Sequence, residues 1–355
     1  MSVRNFFTKK FRKISLTTIF YIDKIKFVKV VDYMKMKQLA ELAGVSPSTV
    51  SKAFSGSREI SEEKRQHIFQ IAKNVGCYDK YCKAFFKKKV IGVVCPEFQG
   101  GNYSKQLTYL RKEIEKRDSI MVVACHSFDE TSKNELISYF TESAKVDGLI
   151  IDGSERTNVN YHTPIVVIGE SENYDSIVLS IKSALKNAIG RFIENGHTDI
   201  GFVGEGLTKF RQKCFVEAMA ESRLRVNRDY IVQSNERFEE AGYDAMNTLL
   251  SKEKRPTAVI AAYDSIAIGA MKSIYEHGLS IPEDISLIGM DDERQTAYLN
   301  VPLTSTTSYM EDLCEIVVDI LFDRIENGDS VAIKKVNVST ELVERKSVGK
   351  APKRK

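Results

Sequence analysis

Six cysteines, at 77, 82, 95, 125, 214 and 314, form no C-x-x-C pair, and none has a histidine partner at zinc-ligand spacing. That argues against a disulfide framework and against a zinc module. Cys95 and Cys125 fall in apolar runs, and the set reads as buried, reduced thiols of a cytosolic protein. The five histidines are scattered, so neither a metal nor a cofactor is expected. No G-x-S-x-G elbow is present, and nothing else suggests catalysis, so the chain is not expected to be an enzyme. Gly201, Gly204 and Gly206 follow an apolar run, but their spacing fails the dinucleotide fingerprint: counted from Gly204, the third glycine would fall on Lys209. No uninterrupted apolar stretch approaches the ~18–20 residues of a membrane span. Lys9, Lys10, Arg12 and Lys13 ahead of Ile14–Ile22 look faintly like a signal peptide, yet Asp23 and Lys24 follow at once without a small-residue cleavage site.

What is present is an ordinary globular composition, with 43% hydrophobic and 28% charged residues over 355 positions. At ~100–200 residues per domain, two or three domains are expected. The net charge of +4 conceals an asymmetry: residues 1–89 hold 20 Lys and Arg against 7 Asp and Glu, a net of +13. Residues 346–355 form a basic tail, and 90–345 net −14. A basic head on an acidic body suggests a polyanion-binding module joined to something else. Residues 1–33 carry +6 of the total; either they are native, or the start is Met34 or Met36 and they are an upstream extension.

Three short helices are expected over 36–76. The first, Lys37–Ala43, stops at Gly44; the second starts at the capping pair Ser46-Pro47 and runs to about Phe54; the third follows Ser61 and ends at Gly76. Ile68, Ile71, Ala72 and Val75 stripe the third helix. From 90 onward, short apolar runs alternate with amphipathic stretches of helical length. The runs are 90–95, 120–124, 148–151, 165–168, 200–203, 258–262 and 285–288; the helices fall near 103–117, 131–144, 178–195, 210–223, 239–252, 265–278 and 311–327. Buried strands alternating with helices imply parallel βαβ units, and the length fits two doubly wound subdomains with a ligand cleft at the carboxyl ends of the strands.

The first two helices have helix-turn-helix spacing: Ala40 is small at the crossing, Gly44 permits the turn, and Val45 and Val50 fill the seam. The second helix would then enter the major groove. Candidate DNA contacts are Ser46, Pro47, Ser48, Thr49, Ser51 and Lys52, short hydroxyls and one long cation that suit base edges and phosphates. An ordinary helical pair with a solvated polar face is the competing reading.

Ala40-Glu-Leu-Ala-Gly-Val-Ser-Pro-Ser-Thr-Val-Ser-Lys52 resembles the head of the lactose-repressor/galactose-repressor family. The resemblance continues in order through Ile91–Val94, Val146–Ile150, Asn195–His197, Gly242–Met246, Pro256–Val259, Ile281–Asp292, Pro302–Thr304 and Glu341–Arg345, covering about 36–345. It implies a bacterial transcription factor, most often a repressor. Its helix-turn-helix domain (34–76) would be followed by a hinge (77–89) and a core (90–345) like the periplasmic sugar-binding proteins. It also implies a homodimer on a near-palindromic double-stranded operator, with a small-molecule effector such as a sugar in the cleft. Pro47 and Ser48 fall where the family reads bases. Lys52 replaces its usual arginine and loses the bidentate fork, so a weaker guanine preference is expected.

Two regions depart from that pattern. In the family the hinge folds on DNA and wedges the minor groove; here Cys77–Phe86 lacks its proline and asparagine, leaving Phe86 or Phe85 as the candidate wedge or as core residues. In the cleft, Arg211 takes the position of the family's ligand-gripping arginine and Asp291 that of its cleft aspartate. Tyr103, Tyr263 and Asp264 complete the effector candidates, with Tyr103 placed to stack on a sugar face. Yet Gly100-Gly-Asn-Tyr103 replaces Asn-Pro-Phe-Phe, Tyr263 replaces an asparagine, Gly169 an aspartate and Ser180-Ile181 an Asp-Asn pair. Either the effector is unusual or the cleft has stopped sensing. A sugar receptor without DNA function is the alternative, opposed by the head and by the missing export signal; an α/β enzyme is a third.

Overall fold

The computed structural model describes residues 34–85, 88–155, 161–328 and 332–353. The chain divides into two units between Lys88 and Lys89. The first unit is helical: α1 (Met36–Ala43), α2 (Pro47–Phe54), α3 (Glu62–Asn74) and α4 (Tyr78–Phe85). Gly44 closes α1 in the left-handed region at φ 65°, where a side chain would be strained. Ser46 caps α2, its Oγ accepting from the Thr49 N–H at 3.1 Å, and proline occupies the first helical position. Ser61 caps α3 in the same manner, with Glu62 and Glu63 in the first turn. Leu39, Ala40, Val50, Ala53, Ile68 and Ala72 fill the shared core, and Val45, Ile71 and Val75 pack around it.

The hinge segment goes further than its charge and aromatics indicated. It forms α4, whose Tyr81 is buried with Cys77 in the head's core and donates from its hydroxyl to the Met34 carbonyl at 2.7 Å. Phe54, Phe69, Tyr78 and Tyr81 make one aromatic cluster, with ring centroids 5.0 to 5.9 Å apart. Burial of these rings gives a short helix the tertiary support that eight residues alone lack. Phe86 and residues 1–33 lie outside the described residues.

The second unit is the expected pair of doubly wound lobes. The first sheet runs β11-β5-β4-β3-β1-β2, with β1 (Val90–Cys95), β2 (Ile120–Cys125), β3 (Gly148–Asp152), β4 (Ile165–Ile168), β5 (Asp175–Leu179) and β11 (Lys335–Val338) all parallel. The second runs β12-β10-β9-β8-β6-β7, with β6 (Ile200–Glu205), β7 (Ile231–Ser234), β8 (Ala258–Ala261), β9 (Ser286–Met290) and β10 (Thr304–Thr307) parallel and β12 (Glu341–Val343) antiparallel at its edge. Helices α5 (Gly101–Lys116), α6 (Glu130–Ser138), α7 (Ile181–Glu194), α8 (Lys209–Glu221), α9 (Phe238–Leu250), α10 (Asp264–Glu276) and α11 (Met310–Asn327) connect them. The chain returns to the first lobe for α11 and β11, so each lobe is completed by distant sequence. A π-helical turn, Tyr139–Ala144, extends α6.

The seven apolar runs all become strands. Among the described residues, the five further strands are those without such a run. β10 is Thr-Ser-Thr-Thr, fully buried because its polar groups are satisfied: Ser305 donates to Asp264, and Thr304 accepts from the Arg345 N–H. β5 begins at the buried Asp175, which two guanidinium nitrogens of Arg324 hold at 2.9 and 3.0 Å. The segment after 345 is not a free tail. Ser347 is wholly buried, and the Gly349 carbonyl accepts from His197 Nε2 at 3.0 Å while His197 Nδ1 lies 2.8 Å from the Thr257 hydroxyl. His197 therefore clamps the carboxyl-terminal segment.

Candidate functional site

On the head, Ser46, Pro47, Ser48 and Lys52 are exposed, and Thr49 and Ser51 are partly so. They lie at the start and along one side of α2. The Ser46 hydroxyl is committed locally: besides capping, it sits 2.7 Å from Ser48 Oγ and 2.8 Å from Thr49 Oγ1. The Lys52 ammonium forms a short ion pair with Glu59, and that contact holds the Glu59 carboxyl below its ordinary range. Both partners are exposed, so the pair contributes little to stability. It does give Lys52 an internal counterion.

Arg211, in the first turn of α8, and Asp291, just after β9, form a two-pronged ion pair at 3.0 and 3.2 Å. The same guanidinium donates to the Ala262 carbonyl at the end of β8. Asp291 sits at φ 98° and Asp292 at 48°, a conformation that non-glycine residues adopt only when their surroundings hold them there. The holders are visible: the Asp291 N–H bonds the Thr306 carbonyl, and Arg345 grips the Asp292 carboxylate at 2.6 Å. Tyr263 places its ring 6.0 Å from the Arg211 guanidinium. Its hydroxyl is buried without meeting hydrogen-bond geometry to any described group, and burial together with the nearby Glu205 carboxylate raises the phenol's pKa. Tyr103, from the first lobe, is also raised by burial and feels Asp152, Arg211 and Asp291. Four of the five effector candidates thus converge from both lobes.

Asp264 is the exception and a correction. It is wholly buried, with one carboxylate oxygen accepting from the Glu293 N–H at 2.7 Å and the other from Ser305 Oγ at 2.7 Å. The resemblance implied an effector contact there. Instead it ties the β9 loop to β10, and burial pushes its carboxyl well above the usual range.

The sequence reading missed the residues that join the lobes. Arg237 donates to Glu205 of its own lobe at 2.9 Å and to Glu97 of the other lobe at 2.9 Å, and stacks on Phe238 and Phe128 at 4.5 and 5.6 Å. Lys105 donates across the cleft to the Asp292 carbonyl at 3.1 Å. Glu293 lays its carboxyl against the amino terminus of α5: a Cβ on Gly101 would come within 2.1 Å of its carboxyl carbon. Gly101 stands where the resemblance expects proline, and this contact explains why only glycine fits. Burial, then Asp291, lifts the Glu293 carboxyl to about 7. Burial likewise lifts Asp152, which Gln106 bonds at 2.8 Å, to about 6. The signal that could have found these groups was positional: Glu97, Asp152, Glu205 and Glu293 all lie at or just beyond the carboxyl ends of parallel strands. Among the described residues, no cluster of three or more His, Cys, Asp or Glu is arranged to hold a metal. No described helix is long and apolar enough to cross a membrane.

Comparison with known proteins agrees with this architecture. Residues 35–78 match the model for bacterial regulatory proteins of the lacI family, and 189–348 that of a periplasmic binding protein-like domain. The HTH-type transcriptional repressor PurR of Histophilus somni (strain 129Pt) is 31% identical over 332 residues, covering 88% of this chain and 98% of the relative. That of Glaesserella parasuis serovar 5 is 28% identical over 334 residues, covering 88% and 98%. Among solved structures, the lac repressor dimer bound to operator and the anti-inducer ONPF superposes with a TM-score of 0.68 at 20% identity, covering 89% and 99%. A lacI-family regulator from Enterococcus faecium with bound ribose gives 0.65 at 22% identity, covering 74% and 99%. The structural likenesses speak to the fold.

Proposed function

The chain belongs to the lacI family of bacterial regulatory proteins, and from that premise we propose how this regulator reads DNA and senses its ligand. It acts in the cytoplasm as a homodimeric repressor on a near-palindromic operator, as the solved lac repressor is a dimer on its operator. Pro47, Ser48, Ser51 and Lys52 face the major groove, while Ser46 and Thr49 hold the start of α2 in shape for it. The effector, a sugar or related small molecule, lies between the lobes against Arg211, Asp291, Tyr103 and Tyr263. The relative with bound ribose supports a carbohydrate. We assign the chain no catalytic step.

The observation that carries this reading is the Arg211–Asp291 fork meeting aromatic side chains of both lobes at the strand ends. A guanidinium and a carboxylate so placed can share a polyol's hydroxyls by directional hydrogen bonds. A ligand there changes the contacts that join the lobes, and so biases the lobe arrangement that the dimer presents to DNA.

Fluorescence anisotropy with the protein's own promoter fragment tests the DNA arm. Specific binding should survive excess random competitor and weaken steeply with salt, because lysines and arginines displace condensed counterions. No preference over random competitor would leave only the sugar-receptor reading. A thermal-shift screen of carbohydrates, repeated on Arg211→Ala, tests the ligand arm: a stabilising sugar should lose its effect in the variant.

A further inference from the structure

Cys95 and Cys125 are the last residues of β1 and β2 and are register partners in a parallel pair. Partners in a parallel ladder project to the same side of the sheet, and here the two sulfurs stand 3.4 Å apart. Cys95 is fully buried, whereas Cys125 is partly exposed. The other described thiols lack this arrangement: Cys77, Cys214 and Cys314 are buried, with Cys314 directed at the Gln106 carbonyl, and Cys82 lies on α4 beside Tyr78. We propose that Cys95 and Cys125 are an oxidisable dithiol, a modification site for hydrogen peroxide at the base of the cleft.

The geometry divides the roles. Cys125 is the thiol a small oxidant can reach. Burial raises both thiols, but the contact with Cys95 favours the Cys125 thiolate and disfavours that of Cys95, so Cys125 ionises first. Its thiolate attacks one peroxide oxygen; the O–O bond breaks, a sulfenic acid forms, and hydroxide leaves to become water with the proton that Cys125 gave up. The Cys95 sulfur then attacks the sulfenic sulfur, expelling a second hydroxide that takes the Cys95 proton. Two thiols become one disulfide and one peroxide becomes two waters. The sulfurs must close from 3.4 Å to about 2.05 Å, a small movement at two strand ends.

The pair also touches the machinery that joins the lobes. The Cys95 S–H donor lies 3.4 Å from the Cys125 sulfur and 3.8 Å from both the Ala124 and the Glu97 carbonyls, and the Glu97 carboxylate is the far end of the Arg237 tether. Oxidation removes that S–H donor and draws the end of β1 toward β2, so the segment bearing Glu97 loosens. This goes beyond the proposed sensing of a ligand and does not depend on it.

The test uses the full-length, fully reduced protein, treated with a few equivalents of hydrogen peroxide at pH 8, then alkylated under denaturing conditions and mapped by mass spectrometry. Peptides bearing Cys95 and Cys125 should be recovered linked and separated by dithiothreitol, with Cys214 and Cys314 alkylated. Oxidation should quicken several-fold from pH 7 to pH 9. In Cys95→Ser the Cys125 sulfenic acid should persist long enough for dimedone to trap it. Because the Cys95→Ser variant can misfold, the wild-type map is decisive alone: Cys95 and Cys125 both alkylated, or linked to other cysteines, overturns the site. Amide exchange over 97–103 should rise several-fold on oxidation and return on reduction. A confirmed linkage with unchanged exchange there overturns the coupling to the cleft. Neither readout uses operator or effector, so failure here is distinct from failure of the proposed function.

Discussion

The two functional regions of this molecule handle charge in opposite ways. On the head, the polar side chains of α2 stand largely in water, and the only long cation of α2, Lys52, is engaged by an exposed ion pair with Glu59. In the cleft, charges are largely withdrawn from solvent and satisfied by the protein: Arg211 by Asp291, Arg237 by Glu205 and Glu97, Glu293 against the start of α5. A surface that meets a polyelectrolyte can leave its cations solvated, since the partner brings the opposing charge. An enclosed site cannot, because an unpaired buried charge costs several kcal/mol. The cleft therefore pairs its charges internally, and an effector bound where we propose would have to replace those partners.

The contrast is most exposed to test at Arg211. Arg211→Ala strands Asp291 and should cost about 2–5 kcal/mol in urea unfolding, the range for breaking a buried hydrogen-bonded charge pair. Replacing both partners by leucine should recover part of that loss; a mild single variant would show that the pair is as solvated as those of the head. Next is Gly101→Ala, which drives a methyl into Glu293 and should destabilise by roughly 1–3 kcal/mol. Glu293→Ala in the same chain should relieve the clash. On the head, Lys52→Ala should weaken operator binding by about 1 kcal/mol with little change in melting temperature. Glu59→Gln should tighten it by freeing Lys52 and removing a negative charge near phosphate; unchanged affinity in both would remove Lys52 from the contacts.

The smallest effect expected is in the pH dependence. Glu293 rises from 4.5 to about 7 on folding and Asp152 from 3.8 to about 6. The folded protein then binds more protons than the unfolded chain between about pH 4 and 7, so these groups make stability fall as pH rises through that window. Glu293→Gln should flatten the upper half of the slope in urea titrations. An unchanged slope would mean that the carboxyl is as hydrated as an exposed one.

Legibility in the sequence followed the same division. The head could be read almost residue by residue, because caps, a left-handed glycine and an apolar stripe act within a few positions of one another. Strands such as Val90–Cys95 and Ile165–Ile168 were equally plain, since a strand buried on both faces must be apolar. Thr304–Thr307 was not, because its burial depends on Asp264, Ser347 and Arg345, none of them near it in sequence. Arg211 and Asp291 were found by likeness to a family. Glu97, Arg237 and Glu293 were passed over because a place near a strand end marks where a cleft group can stand, not which charged side chain reaches the other lobe.

Local chemistry alone settled where the first three helices start and stop, which apolar runs become strands, and that a cationic helix-turn-helix precedes an α/β body. Only the folded chain decided that Asp264 is scaffold, that Tyr81 docks a fourth helix on the head, and that the lobes are tied by Glu97, Lys105 and Glu293. Caps and periodicity are short-range, enforced by backbone geometry and solvent. The pairing of buried charges is long-range, and its partners are chosen by what burial brings within about 3 Å, the reach of a hydrogen bond.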